Sequence, residues 1–245
     1  MGGNAAKLDA MTGALVVWTS LSAVATCAVL HTQVHNVRFR AWRAVAKPVE
    51  AAIDRQAGDI VSRSQPSAQG RARWKEGAIL VWLDARSAPP GADALVERAM
   101  KAWTDASGRR FHLDRTSDRD KAPLRVHFIA GHNVYGEARP RVDRPSGAIV
   151  EADVHINADL AGLGDRTDQR IILYLTALHE LGHALGLPHT DDFSTIMYSF
   201  RRPDDGERYF GAYRRRLRST DEVGAATATG LAPADIEALR VLYAR

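Results

Sequence analysis

Residues 179–189 read HELGHALGLPH and set three histidines and a glutamate at fixed offsets within eleven residues. On a helix, His179 and His183 stand four apart and project from one face, so two imidazoles can hold one ion between them. Glu180, in the turn between them, can reach a water bound to that ion and serve as its general base. Gly186 can end the helix in a conformation that glycine adopts without steric cost. The reversed chain then brings His189 back as a third ligand. Three nitrogens leave a fourth position open, the arrangement of a catalytic zinc and not of a structural one. The plainer alternative is a helix that happens to carry solvated histidines. At this chain's frequencies, 9 His and 19 Gly in 245 residues, the pattern H-E-x-x-H-x-x-G-x-x-H arises by accident in roughly three of 100,000 chains, which favours the metal.

Such a site needs a long, well-packed helix and a sheet to press against it. Residues 167–186 supply the helix: a Thr/Asp start, a glycine stop, and Ile171, Leu175, Leu178 and Leu185 on or near the core side. Ile172 and Thr176 continue the histidine face. The continuous apolar run 78–84 predicts an interior strand. Residues 111–114, 124–130 and 147–157 read as further strands, the last alternating apolar with polar. Residues 89–108 carry prolines, then apolar residues at helical spacing, then glycine, and 232–245 form a last helix with Pro233 in its first turn. From Trp74 onward the chain therefore reads as one α/β domain.

The zinc pattern followed by STIMYS (194–199), with Met197 eight residues past His189, resembles the metzincin endopeptidases and their Met-turn. Within them it is most similar to the matrixins, the matrix-metalloproteinase-like family. RWKEGAILVWLD, AMKAW, GAIVEADVHIN and ADIEALRVLY fall in that family's order, so the likeness spans about Trp74 to Arg245. The resemblance implies a metzincin-like α/β (α+β) fold, a twisted mixed five-stranded sheet with three helices and zinc in the cleft. It implies hydrolysis of peptide bonds in extended protein substrates, with His179, His183 and His189 as ligands, Glu180 as general base acting on a zinc-bound water, and Met197 as the floor beneath the metal. It also implies an edge strand that pairs with the substrate, placed at Ala148, Ile149 and Val150, and a specificity pocket at Tyr198 and Phe200 for an apolar residue after the cut.

Departures from the family accompany the likeness. Matrixin pro-segments quench zinc with a cysteine, yet the one cysteine here is Cys27. Of two adjacent aspartates in the family's final helix only Asp235 is present, and Ala234 replaces the first. Ser199 stands where proline follows MY, and residues 199–230 read as a long arginine-rich loop. His127, His132, His155 and Asp153 are candidates for the second, structural zinc of many matrixins, without the family's spacing. Asp153, Asp159 and Asp165 are candidate calcium neighbours that nothing singles out.

The rest of the chain bounds the partners. Much of the net charge of +4 is carried in arginine clusters (38–43, 201–202, 214–218) that are not interleaved with aromatics in the pattern of a nucleic-acid module, so no nucleic acid is expected and a solvated basic face is preferred. Residues 11–30 hold no charge, which suits a membrane anchor or a secretory signal, or else a buried helix. The stronger basic cluster after that segment opposes export as an anchor, whereas a cleaved signal escapes the conflict. Residues 31–73 read as a basic stalk, linker or pro-segment. The expected location is extracytoplasmic, secreted or anchored, and the Ala- and Arg-rich composition suits a GC-rich bacterium. Two rivals from other classes remain: an inactive zinc-stabilised binding module, which intact Glu180 opposes, and a membrane-tethered nucleic-acid or lipid binder working through its arginine clusters. Because residues 74–245 lack cysteine, thiol-modifying reagents are expected neither to activate nor to inhibit peptide hydrolysis. Activation by an organomercurial would contradict this.

Overall fold

The computed structural model describes residues 72–130, 135–160, 164–202 and 204–244. The apolar segment 11–30 and nearly all of 31–73 lie outside them. The described elements run β1 (Gly77–Asp84), α1 (Ala92–Ala106), β2 (Phe111–Thr116), β3 (Leu124–Ile129), β4 (Gly136–Asp143), β5 (Ala148–Asn157), α2 (Arg166–Ala184), α3 (Asp205–Arg214) and α4 (Pro233–Tyr243). The expected mixed five-stranded sheet is present, in the order β2-β1-β3-β5-β4. Its first four members are parallel neighbours and β4 runs antiparallel to β5.

Alternation decides which side of the sheet is core. Ile79, Val81 and Leu83 of β1, Leu124, Val126 and Phe128 of β3, and Ala152, Val154 and Ile156 of β5 are all buried. α1 and α2 pack on the sheet and on each other. α1 brings Leu95, Val96, Ala99 and Trp103 to that interface at helical spacing, and α2 is buried continuously from Ile171 to Leu178.

Two expectations are corrected. A fourth helix, α3, occupies part of the stretch read as an arginine-rich loop. Its acidic residues Asp205 and Glu207 lie in the first turn and Arg214 in the last, which matches the helix dipole, while Tyr209 and Tyr213 form its buried stripe. The substrate edge is also displaced. Ala148 and Ile149 pair with Asp143 and Val142 of β4, and on their other side Ile149 N donates to Arg73 O at 2.8 Å. Residues 148–150 thus belong to an inner strand, and among the described residues the edge strand on this side is β4.

The start of α2 is tied to the end of α3 by charge. Asp165 caps α2 by accepting from the N–H groups of Thr167 and Asp168 at 2.8 and 3.0 Å. Arg214 grips the same carboxylate through two bonds of 2.9 Å and also reaches Asp168. Arg214 holds the Asp165 carboxyl down to about 2, against an ordinary value of 3.8, with partial burial opposing. A depressed carboxylate stabilises the fold above its unfolded value and loses that contribution as pH falls through the folded one. The pair is partly solvated, so the contribution is about 1 kcal/mol and not the full linkage value. Asp165→Asn keeps a good helix cap and removes the charge. It is expected to lower the melting temperature at pH 7 by a few degrees, with the difference from wild type closing between about pH 4 and pH 2. A constant difference across that range would refute the ion pair's role.

Candidate metal centre and active site

The last two turns of α2 carry His179, Glu180 and His183. Gly186 ends the helix with φ of 98° and donates to His183 O at 2.9 Å, and Leu187 N donates to Gly182 O at 3.0 Å. A Cβ at Gly186 would stand 2.1 Å from Ala72 O, so glycine is needed here for its backbone and for its size. This reversal returns His189 to the helix face.

The three Nε2 atoms stand 3.1, 3.1 and 3.2 Å apart. His179 Nδ1 lies 2.6 Å from Ile196 O, and His183 Nδ1 lies 2.8 Å from Leu187 O. A carbonyl only accepts, so both Nδ1 atoms carry the proton and both Nε2 atoms present lone pairs. Facing lone pairs at 3.1 Å repel unless a cation lies among them. Three nitrogens at about 2.0–2.1 Å from one tetrahedral zinc would stand about 3.3–3.4 Å apart, so the observed triangle fits that ion closely. Burial, then the neighbouring imidazoles, pushes His179 well below its ordinary value and His183 down to about 4. Burial and then Arg201 lower His189. All three are thus neutral at neutral pH, the form that binds metal.

Glu180 is 7% exposed. Burial first, and the charge of Glu137 second, push its carboxyl up to about 8. Strand β4 lies directly against it: a Cβ at Gly136 would be 2.6 Å from Glu180 Cγ and 2.7 Å from Thr176 Cγ2.

The second bank is built by residues 189–200. Thr190 N donates to Met197 O at 2.8 Å and Ser199 N to Thr190 O at 3.2 Å. Met197 is buried, with its sulfur on the open face of Gly182, where a Cβ would stand 2.4 Å away. The buried Asp235 carboxylate ties this bank to α4, accepting from Ile196 N at 2.9 Å and Ala232 N at 2.8 Å. Of the two expected pocket residues, Phe200 presents its ring 6.0 Å from that of His179. Its φ of 44° is unfavourable for a residue with a Cβ, by about 1 kcal/mol. Tyr198 is buried and its hydroxyl donates to Asp205 of α3 at 2.8 Å. It anchors that helix to the bank.

The candidate second sites do not converge. The His127 and His155 rings stack 5.2 Å apart at 20°, His127 Nε2 lies 3.4 Å from Asp153 Oδ1, and His132 lies outside the described residues. Asp165 is committed to its cap and Arg214. Among the described residues, no other three His, Cys, Asp or Glu side chains come together closely enough to hold an ion. The contacts of Gly136 with Glu180 and of Asp205 with Tyr198 have no counterpart in the sequence reading, because both residues lie in polar, aperiodic sequence that offers no pattern to read. No helix among the described residues is long and apolar enough to cross a membrane.

The family model described as Matrixin matches residues 84–212, more than half of the chain. The chain belongs to the matrixin family. This matrixin is 31% identical over 113 residues to macrophage metalloelastase of Oryctolagus cuniculus, covering 42% of this chain and 22% of the relative. It is 28% identical over 115 residues to interstitial collagenase of the same species, covering 43% and 23%. The chain thus spans less than a quarter of the length of these relatives. Matrixins use zinc, and the histidine triangle is compatible with it.

Removing the Asp235 carboxylate leaves two buried N–H groups without an acceptor and frees the bank beneath the histidines. Asp235→Ala is expected to cost about 3 kcal/mol and to weaken zinc retention. A denaturant midpoint equal to that of wild type would contradict this account.

Proposed function

We propose that this matrixin is a zinc-dependent endopeptidase that hydrolyses extended peptide segments, with residues 74–245 as its catalytic unit. The observation that carries the reading is the triangle of three Nε2 atoms 3.1–3.2 Å apart, two of them on the same helix turns as a buried carboxylate. One metal ion among His179, His183 and His189 is part of the reading. Zinc in that position supplies Lewis acidity, which polarises a carbonyl and acidifies water.

The chain's own groups do the remainder. Glu180 takes the proton of the attacking water and returns it to the departing amine. Burial raises this carboxyl from its ordinary value, and a carboxyl group can take up and give back a proton, as that exchange requires. Gly136 lets the β4 backbone rest on Glu180, which restricts its rotation and shields one side from water. The outer edge of β4 can receive the substrate as an added strand. Phe200, beside His179, favours an apolar side chain after the cut. A secreted or membrane-anchored location belongs to this reading through the uncharged residues 11–30 alone.

The full chain is expected to hold one zinc per molecule by elemental analysis. Glu180→Gln should keep that zinc and lose at least ~10²–10⁴-fold in kcat, the range for removing a general base. His183→Ala should lose zinc and activity together. Near-normal turnover by Glu180→Gln with zinc present would exclude the mechanism. Stoichiometric zinc without hydrolysis of any peptide in the parent chain would leave a binding module.

A further inference from the structure

A chain of rings runs outward from His179, beginning with Phe200. From Phe200 the next ring is Phe210 of α3, 6.2 Å away, and Phe210 meets Tyr135 at 5.7 Å and 85°. Tyr135 immediately precedes Gly136, the residue whose backbone rests on Glu180. The rings therefore join the bank formed by residues 196–200 to the bank formed by β4. Centroid separations of this size are direct ring contacts, and a substrate side chain cannot pass between rings that touch.

The helix that carries Phe210 is held at both ends. At its start the Asp205 carboxylate, 1% exposed, accepts from the Tyr198 hydroxyl at 2.8 Å and from Arg202 N at 2.9 Å. At its end Arg214 grips Asp165 with two bonds of 2.9 Å. Between these ties Tyr209 is buried against Phe193 and Phe200. Phe210 is thus a fixed wall and not the tip of a loose loop. We propose that Phe210, braced by Tyr135, limits the size of the substrate side chain received beside His179, admitting compact apolar residues and rejecting long ones. The inference rests on the peptidase reading above and names what that site accepts.

The test is a binding comparison that needs no turnover. The zinc-loaded full chain carrying Glu180→Gln is titrated, by fluorescence anisotropy, with labelled peptides of one apolar sequence. In these, each position in turn holds leucine or biphenylalanine. At one position biphenylalanine is expected to weaken binding tenfold or more relative to leucine. Adding Phe210→Ala should shrink that ratio to within threefold of unity, and Tyr135→Ala should shrink it in part. Should Phe210→Ala fail to fold, Phe210→Leu shortens the wall while keeping an apolar contact with Tyr135, and the ratio should fall to an intermediate value. Chains with Glu180 intact should show the same shift in kcat/KM. A discrimination ratio unchanged in folded Phe210 variants overturns the proposal, as does the lack of any discrimination in the parent. A zinc-bound parent that binds these peptides with the expected ratio yet cleaves none fails the peptidase reading and not this one.

Discussion

Everything in this fold serves to hold neutral imidazole nitrogens closer together than they would stand unaided. Nε2 lone pairs at 3.1 Å repel, and the His179 and His183 rings are kept in place by their other nitrogens, which donate to Ile196 O and Leu187 O. Those carbonyls must be fixed in turn. Leu187 is fixed by the glycine reversal after α2, and Ile196 by the Asp235 carboxylate that receives its N–H. The metal centre is therefore assembled from a helix end, a turn and a remote helix, none of which is held by the metal ligands alone.

The end of α2 shows how distant segments contribute. A helix leaves its last carbonyls without intrahelical partners, and here they are buried. Trp74 Nε1 donates to Ala184 O at 2.8 Å and the Tyr243 hydroxyl to Leu185 O at 3.0 Å, while further inside the helix Trp103 Nε1 donates to Leu178 O at 2.8 Å. Trp74 and Tyr243 lie near the two limits of the described domain, so its closure is also the capping of the histidine helix. The buried acids divide by the same logic. Asp205 and Asp235 accept hydrogen bonds from two groups each and act as ties, whereas burial and the charge of Glu137 set the Glu180 carboxyl.

What was legible in the sequence follows from where periodicity survives. Strands β1, β3 and β5 and helices α1 and α4 bury one face each, and burial writes its period into the residues, whereas α2, buried on all sides from Ile171 to Leu178, shows as a nearly continuous apolar run. The histidine spacing was legible because helix geometry and zinc chemistry both constrain it. β4 and α3 were not. GEARPRVD is mostly exposed, with one face on α2 contributed by Gly136 and no apolar alternation. α3 buries only Asp205, Tyr209 and Tyr213, and its arginines gave the look of a loop. The resemblance placed the substrate edge at Ala148–Val150, and alternation there shows one buried face without telling an edge from an inner strand; the pairing with β4 makes it inner.

An unpaired strand edge invites pairing with other chains, and proteins guard it with charge, proline and bulges. β4 carries all three toward its far end: Arg139, Pro140 and Arg141, then a register shift between Arg141 and Val142. Pro140 can sit there because an edge position tolerates the missing N–H. At the other end the strand begins with Gly136 on Glu180, and the charge of Glu137 that follows is paired with Arg139. On the proposed reading one edge meets two opposed demands, refusing strands along most of its length while remaining open to one beside the carboxylate. Neither demand leaves an apolar pattern, which is why the stretch closest to the chemistry was the least readable.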